Sequence, residues 1–208
     1  MDMAEISSLL ALTLGVGWAS GINLYATVFT LGLAGLTGYV ELPDQLDAIQ
    51  NPWVLGTAGL MYLVEFIADK IPAFDTVWDA IHTFIRVPAG ALMALGATGD
   101  HGLAVDMTGG LAGGILALNS HATKMGSRAA INTSPEPFSN WAASITEDIS
   151  VVGGLWLALN HPWTFLGLLV LFVVLSVFLL RIIWSTLKAA IRKLRSRCGS
   201  DLAHSRGE

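Results

Sequence analysis

The chain has 208 residues, of which 53% are hydrophobic and 13% charged, with a mean hydropathy of +0.62. Soluble domains carry about 25% charged residues, so an ordinary soluble domain is excluded and a multi-helix membrane domain is the default. The formal net charge of −5 argues against nucleic acid as a partner, although an average over two membrane faces hides opposite local charges.

Seven apolar segments approach the length of about 20 residues that a span requires. The first, 6–19, follows Met1-Asp2-Met3-Ala4-Glu5, an acidic start where a signal peptide needs Lys or Arg, so it reads as a retained membrane segment. A second, 24–40, is separated from it by Ser20-Gly21-Ile22-Asn23, where Gly relaxes the backbone and Asn can bond freed peptide groups. Whether this break is a turn at the membrane face or an unwound point within the membrane stays open. Segments 51–68, 84–98, 103–120, 141–160 and 163–184 complete the set, and Ser134-Pro135-Glu136-Pro137 reads as a stiff turn before Trp141. The expectation is an all-α, polytopic transmembrane helix bundle of six or seven spans. It forms one integral membrane domain over 1–184, followed by a basic, partly disordered tail over 185–208.

All eleven Lys and Arg residues lie after position 69. Lys188, Arg192, Lys193, Arg195 and Arg197 follow the most hydrophobic segment and mark its end as cytoplasmic. Alternation then puts Lys70 with Arg86, and Lys124 with Arg128, on that same side, and Glu41, Asp44, Asp47, Asp100, Asp106 and His161 on the other. The expected location is a multi-pass protein of the inner (plasma) membrane with a cytoplasmic C-terminus. Asn51-Pro52-Trp53 and His161-Pro162-Trp163 each join a polar residue, a first-turn Pro and an interfacial Trp, so the helices they open should run in the same direction. Asn132-Thr133-Ser134 matches a glycosylation acceptor but falls on the cytoplasmic side and is discounted. Cys198 is the only cysteine, which rules out an intrachain disulfide.

Hairpins 51–98 and 103–160 read alike: Ile67-Ala68-Asp69-Lys70 aligns with His121-Ala122-Thr123-Lys124, and Ala89-Gly90-Ala91-Leu92 with Gly153-Gly154-Leu155-Trp156. They would be parallel repeats, an arrangement that commonly places a site at the shared interface. Gly109/Gly113 and Gly110/Gly114 have small-xxx-small spacing, which suits internal packing first and a homodimer face second. Ser20-Gly21-Ile22-Asn23-Leu24-Tyr25, Glu65-Phe66-Ile67-Ala68-Asp69-Lys70-Ile71-Pro72, Asp75 with Trp78-Asp79, and Ser144 with Glu147-Asp148 together resemble a prokaryotic integral-membrane family catalogued as domain of unknown function 4126. The resemblance implies the membrane architecture and no catalytic assignment.

Ionisable residues crowd two predicted turns: Glu65, Asp69, Lys70, Asp75, Asp79, His82 and Arg86 in the first, His121, Lys124, Arg128, Glu147 and Asp148 in the second. Glu65/Asp69, Asp75/Asp79, His82/Arg86 and Lys124/Arg128 are i, i+4 pairs that share helix faces. Charges near an apolar span find partners or line a wet cavity. The leading expectation is a small transporter or channel-like protein for an unknown small solute or ion, with these groups and Asn23 at a polar cytoplasmic mouth. One alternative is an enzyme in which Asp75 and Asp79 hold Mg²⁺ for chemistry on a phosphorylated membrane lipid, Lys124 and Arg128 taking the phosphate. The other is a non-catalytic scaffold whose hairpins are fastened by cross-hairpin ion pairs.

Overall fold

The computed structural model describes residues 2–71, 74–133 and 137–204, and every regular element among them is helical: α1 (Met3–Leu36), a 3-10 segment (Asp44–Gln50), α2 (Pro52–Ala68), α3 (Phe74–Ala97), α4 (Leu103–Ile131), α5 (Pro137–Asn160) and α6 (Pro162–His204). The stiff turn expected at 134–136 and the last tail residues, 205–208, lie outside the described residues. The seven predicted apolar segments lie largely in these helices, 6–19 and 24–40 sharing α1 and residues 37–40 falling beyond its end, and the expected helical bundle forms. Four helices, α1, α3, α5 and the Pro162–Thr186 part of α6, are long and apolar enough to cross a membrane, and α2 is a shorter apolar helix.

Local signals explain the helix starts. Asp2 and Glu5 form a reciprocal capping box at α1, which satisfies two orphan donors. Asn51 accepts from the Trp53 N–H at 2.9 Å, and Pro52 opens α2 where no N–H is needed. Trp53 and Trp163 are both exposed, at 85% and 60%. They stand at the starts of α2 and α6, which run in the same direction as expected.

α1 is not one straight rod. Asn23 has φ −148° and ψ 99° in the middle of it, and the chain folds back there. In the first arm, 3–22, Gly15 lies against Ala158 and Trp18 against Gly154. At the head of the second arm, 24–36, Asn23 bonds Asp148, and beyond the arm's end Tyr39 bonds Asn160. Both arms therefore climb α5 from the level of residue 148 toward residue 160, leaving their outer ends on one side. At 1.5 Å per residue the arms are about 30 and 20 Å long. The break expected at 20–23 is thus a reversal that brings Asn23 into the middle of the bundle.

The arms wedge between the other helices. α3 packs closely on α4, and both pack on the first arm, because glycines remove side chains at the crossings. A Cβ on Gly113 would meet Ala94, one on Gly17 would meet the Gly113 backbone, and one on Gly21 would meet Ser120 and Ala117. Gly110 and Gly114 face Leu95 and Ala91 of α3. Both small-xxx-small spacings therefore serve internal packing. Within the expected hairpins, α2 touches α3 sparingly and α4 touches α5 sparingly. The close pairs are α3 with α4 and α1 with its neighbours.

The bundle is apolar outside and charged inside. Phe84, Leu92, Leu111, Ile149 and Phe178 are each more than 60% exposed, while Arg86, Arg128, Glu65, Asp75 and Asp79 are fully buried. Such an arrangement suits a lipid surrounding.

Candidate functional site

The polar residues predicted in turns lie largely on helices. α3 begins at Phe74, ten residues before the predicted segment, and so carries Asp75, Asp79, His82 and Arg86 on one buried stripe. α4 continues to Ile131 and buries His121, Lys124 and Arg128, while Glu147 and Asp148 lie inside α5. Apolarity marks only the part of a helix that lies against lipid; the remainder is helical because its charged face finds partners across the bundle.

Those partners form one network. Arg86 Nη2 donates to Glu65 Oε1 at 2.7 Å, and Nη1 lies 2.9 Å from Asp79 Oδ1. Lys124 Nζ reaches Glu65 at 3.2 Å, Asp69 at 3.0 Å, Glu147 at 3.5 Å and Asp79 at 3.7 Å. Arg128 forks onto Glu147 through Nε at 3.1 Å and Nη2 at 2.7 Å, and its Nη2 also lies 3.3 Å from Asp69. Expected residues of α2, α3, α4 and α5 are thus brought together. A bidentate guanidinium and several buried charge-assisted bonds are the geometry in which buried ions are best compensated.

The broken end of α1 enters this network. The Ile22 carbonyl, which has lost its helical partner, accepts from Arg86 Nη1 at 3.2 Å and from Lys124 Nζ at 3.3 Å. These cations sit where the first arm's helix dipole is negative. Asn23 Oδ1 caps the second arm by accepting from the Ala26 N–H at 2.9 Å, and Asn23 Nδ2 donates to Asp148 Oδ1 at 3.2 Å. The Asn23 carbonyl accepts from Thr27 Oγ1 at 2.8 Å. Both half-helix ends are therefore satisfied at depth in the bundle.

Other predicted residues stand at the edge. His121 is held by Thr83 Oγ1 at 2.7 Å and lies 3.3 Å from Arg86 Nη1. His82 stacks on Trp78, bonds its carbonyl through Nδ1 at 2.8 Å, and meets the Tyr25 hydroxyl at 3.2 Å. It positions Tyr25 and makes no ion pair with the network. Lys70 lies in the turn after α2, where its Nζ donates to Phe66 O at 2.9 Å. Burial pushes its pKa down, against the attraction of Asp148 and Asp69.

The expected metal pair is divided. Asp75 accepts from Asn132 Nδ2 at 2.9 and 3.0 Å, whereas Asp79 turns to Arg86 and Lys124. Among the described residues no group of three His, Cys, Asp or Glu is placed to hold a metal ion. Asn132, read in the sequence only as part of a discounted glycosylation acceptor, and Asn140, which bonds it at 2.8 Å, were not among the expected site residues. Their signal was spacing: Asn132 is one turn beyond Arg128, and Asn140, Ser144 and Asp148 are successive turns of α5.

A cavity of about 170 Å³, mostly apolar in surface, opens beside the network between α4, α5, α6 and the first arm. Lys124 and Glu147 border it, Ser120, Thr123, Ser127 and Thr146 supply hydroxyls, and Trp18 and Phe172 form its apolar wall.

These features define a membrane-embedded helical protein with a buried charge network around a broken helix. A family model described as a domain of unknown function, DUF4126, matches residues 10–182, and the chain belongs to that family. No curated protein and no solved structure matches the chain.

Proposed function

We propose that the protein moves a small solute or ion across the membrane, and that its site is the charge network at the break of α1. The observation that carries this reading is the reversal at Asn23. It exposes the Ile22 carbonyl and an N-terminal half-helix end to buried charges, beside a largely apolar cavity that Lys124, Glu147 and several hydroxyls border. Discontinuous helices whose ends meet ionisable groups at membrane depth are a recurring way to bind a small charged ligand. The basic residues Lys188 and Arg192 beyond the last apolar segment support a cytoplasmic C-terminus.

A fastening role is the second reading, favoured by the pairing of Glu65, Asp69 and Glu147 with cations of other helices. The division of Asp75 from Asp79 speaks against Mg²⁺-dependent lipid chemistry.

The two readings separate through Glu147→Gln, which removes a charge at the cavity and keeps the shape. Metabolites and lipids are compared between cells carrying wild-type protein, cells carrying Glu147→Gln at matched membrane abundance, and cells with neither. The solute that changes is then followed into vesicles containing the purified protein. Transport predicts a solute whose movement needs wild-type protein and falls at least tenfold in the variant. Unchanged profiles with normally folded variant leave fastening as the role.

A further inference from the structure

The buried charges around the break of α1 do not balance. The carboxylates of Glu65, Asp69, Asp79, Glu147 and Asp148 face the cations Arg86, Lys124 and Arg128, with Lys70 at the margin. An uncompensated carboxylate in a low-dielectric interior is costly and relieves that cost by taking up a proton. Four of the five carboxylates lie within 4.0 Å of a cation: Glu65 and Asp79 at Arg86, Asp69 at Lys124, Glu147 at Arg128. Asp148 makes no such pair among the described residues. The donors at its carboxyl are neutral, the Asn23 amide at Oδ1 and the nearby Tyr62 hydroxyl, and Oδ2 is buried with no partner in strict hydrogen-bond geometry. The groups facing it are Asn23 from α1, Tyr62 from α2, Asp69 and Lys70 from the following turn, and Lys124 from α4.

Glu65 and Asp79 are 0% exposed and sealed, whereas Asp148 at 9% and the Glu147 side chain at 16% lie nearer the edge of the network. Of these two only Asp148 lacks a cation within 4.0 Å among the described residues. We infer that Asp148 is a proton-binding site, and that the proton it holds is the coupling ion of the site at Asn23. The second half of this statement rests on the transport reading; the first does not.

The chemistry is a single proton transfer. A proton delivered from hydronium, which is left as water, forms an O–H bond on the Asp148 carboxyl, and the carboxyl goes from −1 to neutral. The Asn23 bond to Oδ1 then changes from charge-assisted to neutral, about half as strong. Asn23 is also the residue that caps the second arm. Loss of the proton therefore tightens the hold on the residue at which α1 reverses, and gain of the proton loosens it.

Infrared difference spectroscopy on protein in liposomes tests the site directly, because a protonated carboxyl has a carbonyl stretch separate from that of a carboxylate. Wild-type protein is expected to show this band at mildly acidic pH and to lose it as pH rises. Asp148→Asn should abolish the band, Asp148→Glu should keep it at a shifted frequency, and Glu147→Gln should leave it in place. A wild-type spectrum without the band, or a band unmoved in Asp148→Glu, overturns the proton site even where Asp148→Asn fails to fold. The band without any solute movement refutes the transport reading and leaves the proton site standing. Solute movement that is independent of pH and unaffected by Asp148→Glu overturns the coupling role.

Discussion

Arg86 joins three helices with one guanidinium. Nη2 holds Glu65 of α2, and Nη1 holds the Ile22 carbonyl of α1 and approaches Asp79 and His121. A lysine in its place would keep the charge but not the planar fork. Removing one partner of such a buried pair costs about 3–5 kcal/mol, because the other charge is stranded, whereas replacing both by uncharged groups is often far milder. Arg86→Met should therefore strongly lower unfolding stability in detergent, and Glu65→Gln with Arg86→Met should recover more than half of the loss. Additive losses in this double-mutant cycle would show that the pair is not the unit of stability. The clustering of these charges was legible in the sequence, since i, i+4 spacing puts Glu65 with Asp69 on one helix face and Lys124 with Arg128 on another, but which carboxylate meets which cation was not. Asn132 and Asn140 were not, because amides that pair with each other and with Asp75 carry no sign of charge to match.

α1 shows how little sequence change a reversal needs. One residue leaves helical geometry, and its neighbours on both sides remain in helix, so the hydrophobic pattern runs through nearly uninterrupted. Ser20-Gly21-Ile22-Asn23 marked the place but could not give the direction of the second arm. That direction depends on tertiary partners: Arg86 and Lys124 at the Ile22 carbonyl, Asp148 at the Asn23 amide. The extra helical turns of α3 and α4 were missed for the same reason, since their polar faces are stabilised by groups distant in sequence. Asn23→Ala removes the cap on the second arm and the bond to Asp148. A lost N-cap costs about 0.5–2 kcal/mol, and this variant should unfold in denaturant with at least that loss. Gly21→Ala should be worse, because the added methyl meets the Ser120 hydroxyl and the Ala117 carbonyl, and the latter is backbone that cannot swing aside. Equal stability of Gly21→Ala and wild type, by the same measurement, would contradict the close contact between α1 and α4.

Across the whole molecule, the apolar exterior and charged interior set a membrane orientation that a single labelling experiment can read. Asp2 begins α1, Asp44 opens the 3-10 segment after it, and Asp100 lies between α3 and α4. Gln45 donates to Asp100 at 2.6 Å, so the 40–50 and 98–102 connections share one end of the bundle. The reversal of α1 adds Asp2 to that end, because Thr13 meets Gly109, and Leu9 and Leu10 line a groove with Ala104 and Val105 near the start of α4. A straight α1 of 34 residues would be about 51 Å long, more than a bilayer core, and would place Asp2 and Asp44 on opposite faces. With Cys198 replaced by Ser, single cysteines at Asp2, Asp44 and Asp100 should all react with an impermeant thiol reagent from the same side. Cysteines at Thr133 and Lys188 should react from the other, since Thr133 lies just past the end of α4 at Ile131 and Lys188 lies beyond the last apolar stretch of α6. Labelling of Asp2→Cys from the Thr133 side would mean that α1 crosses the membrane once. The Ile22 carbonyl would then no longer be a free helix end, and the proposed site would lose the feature on which it is built.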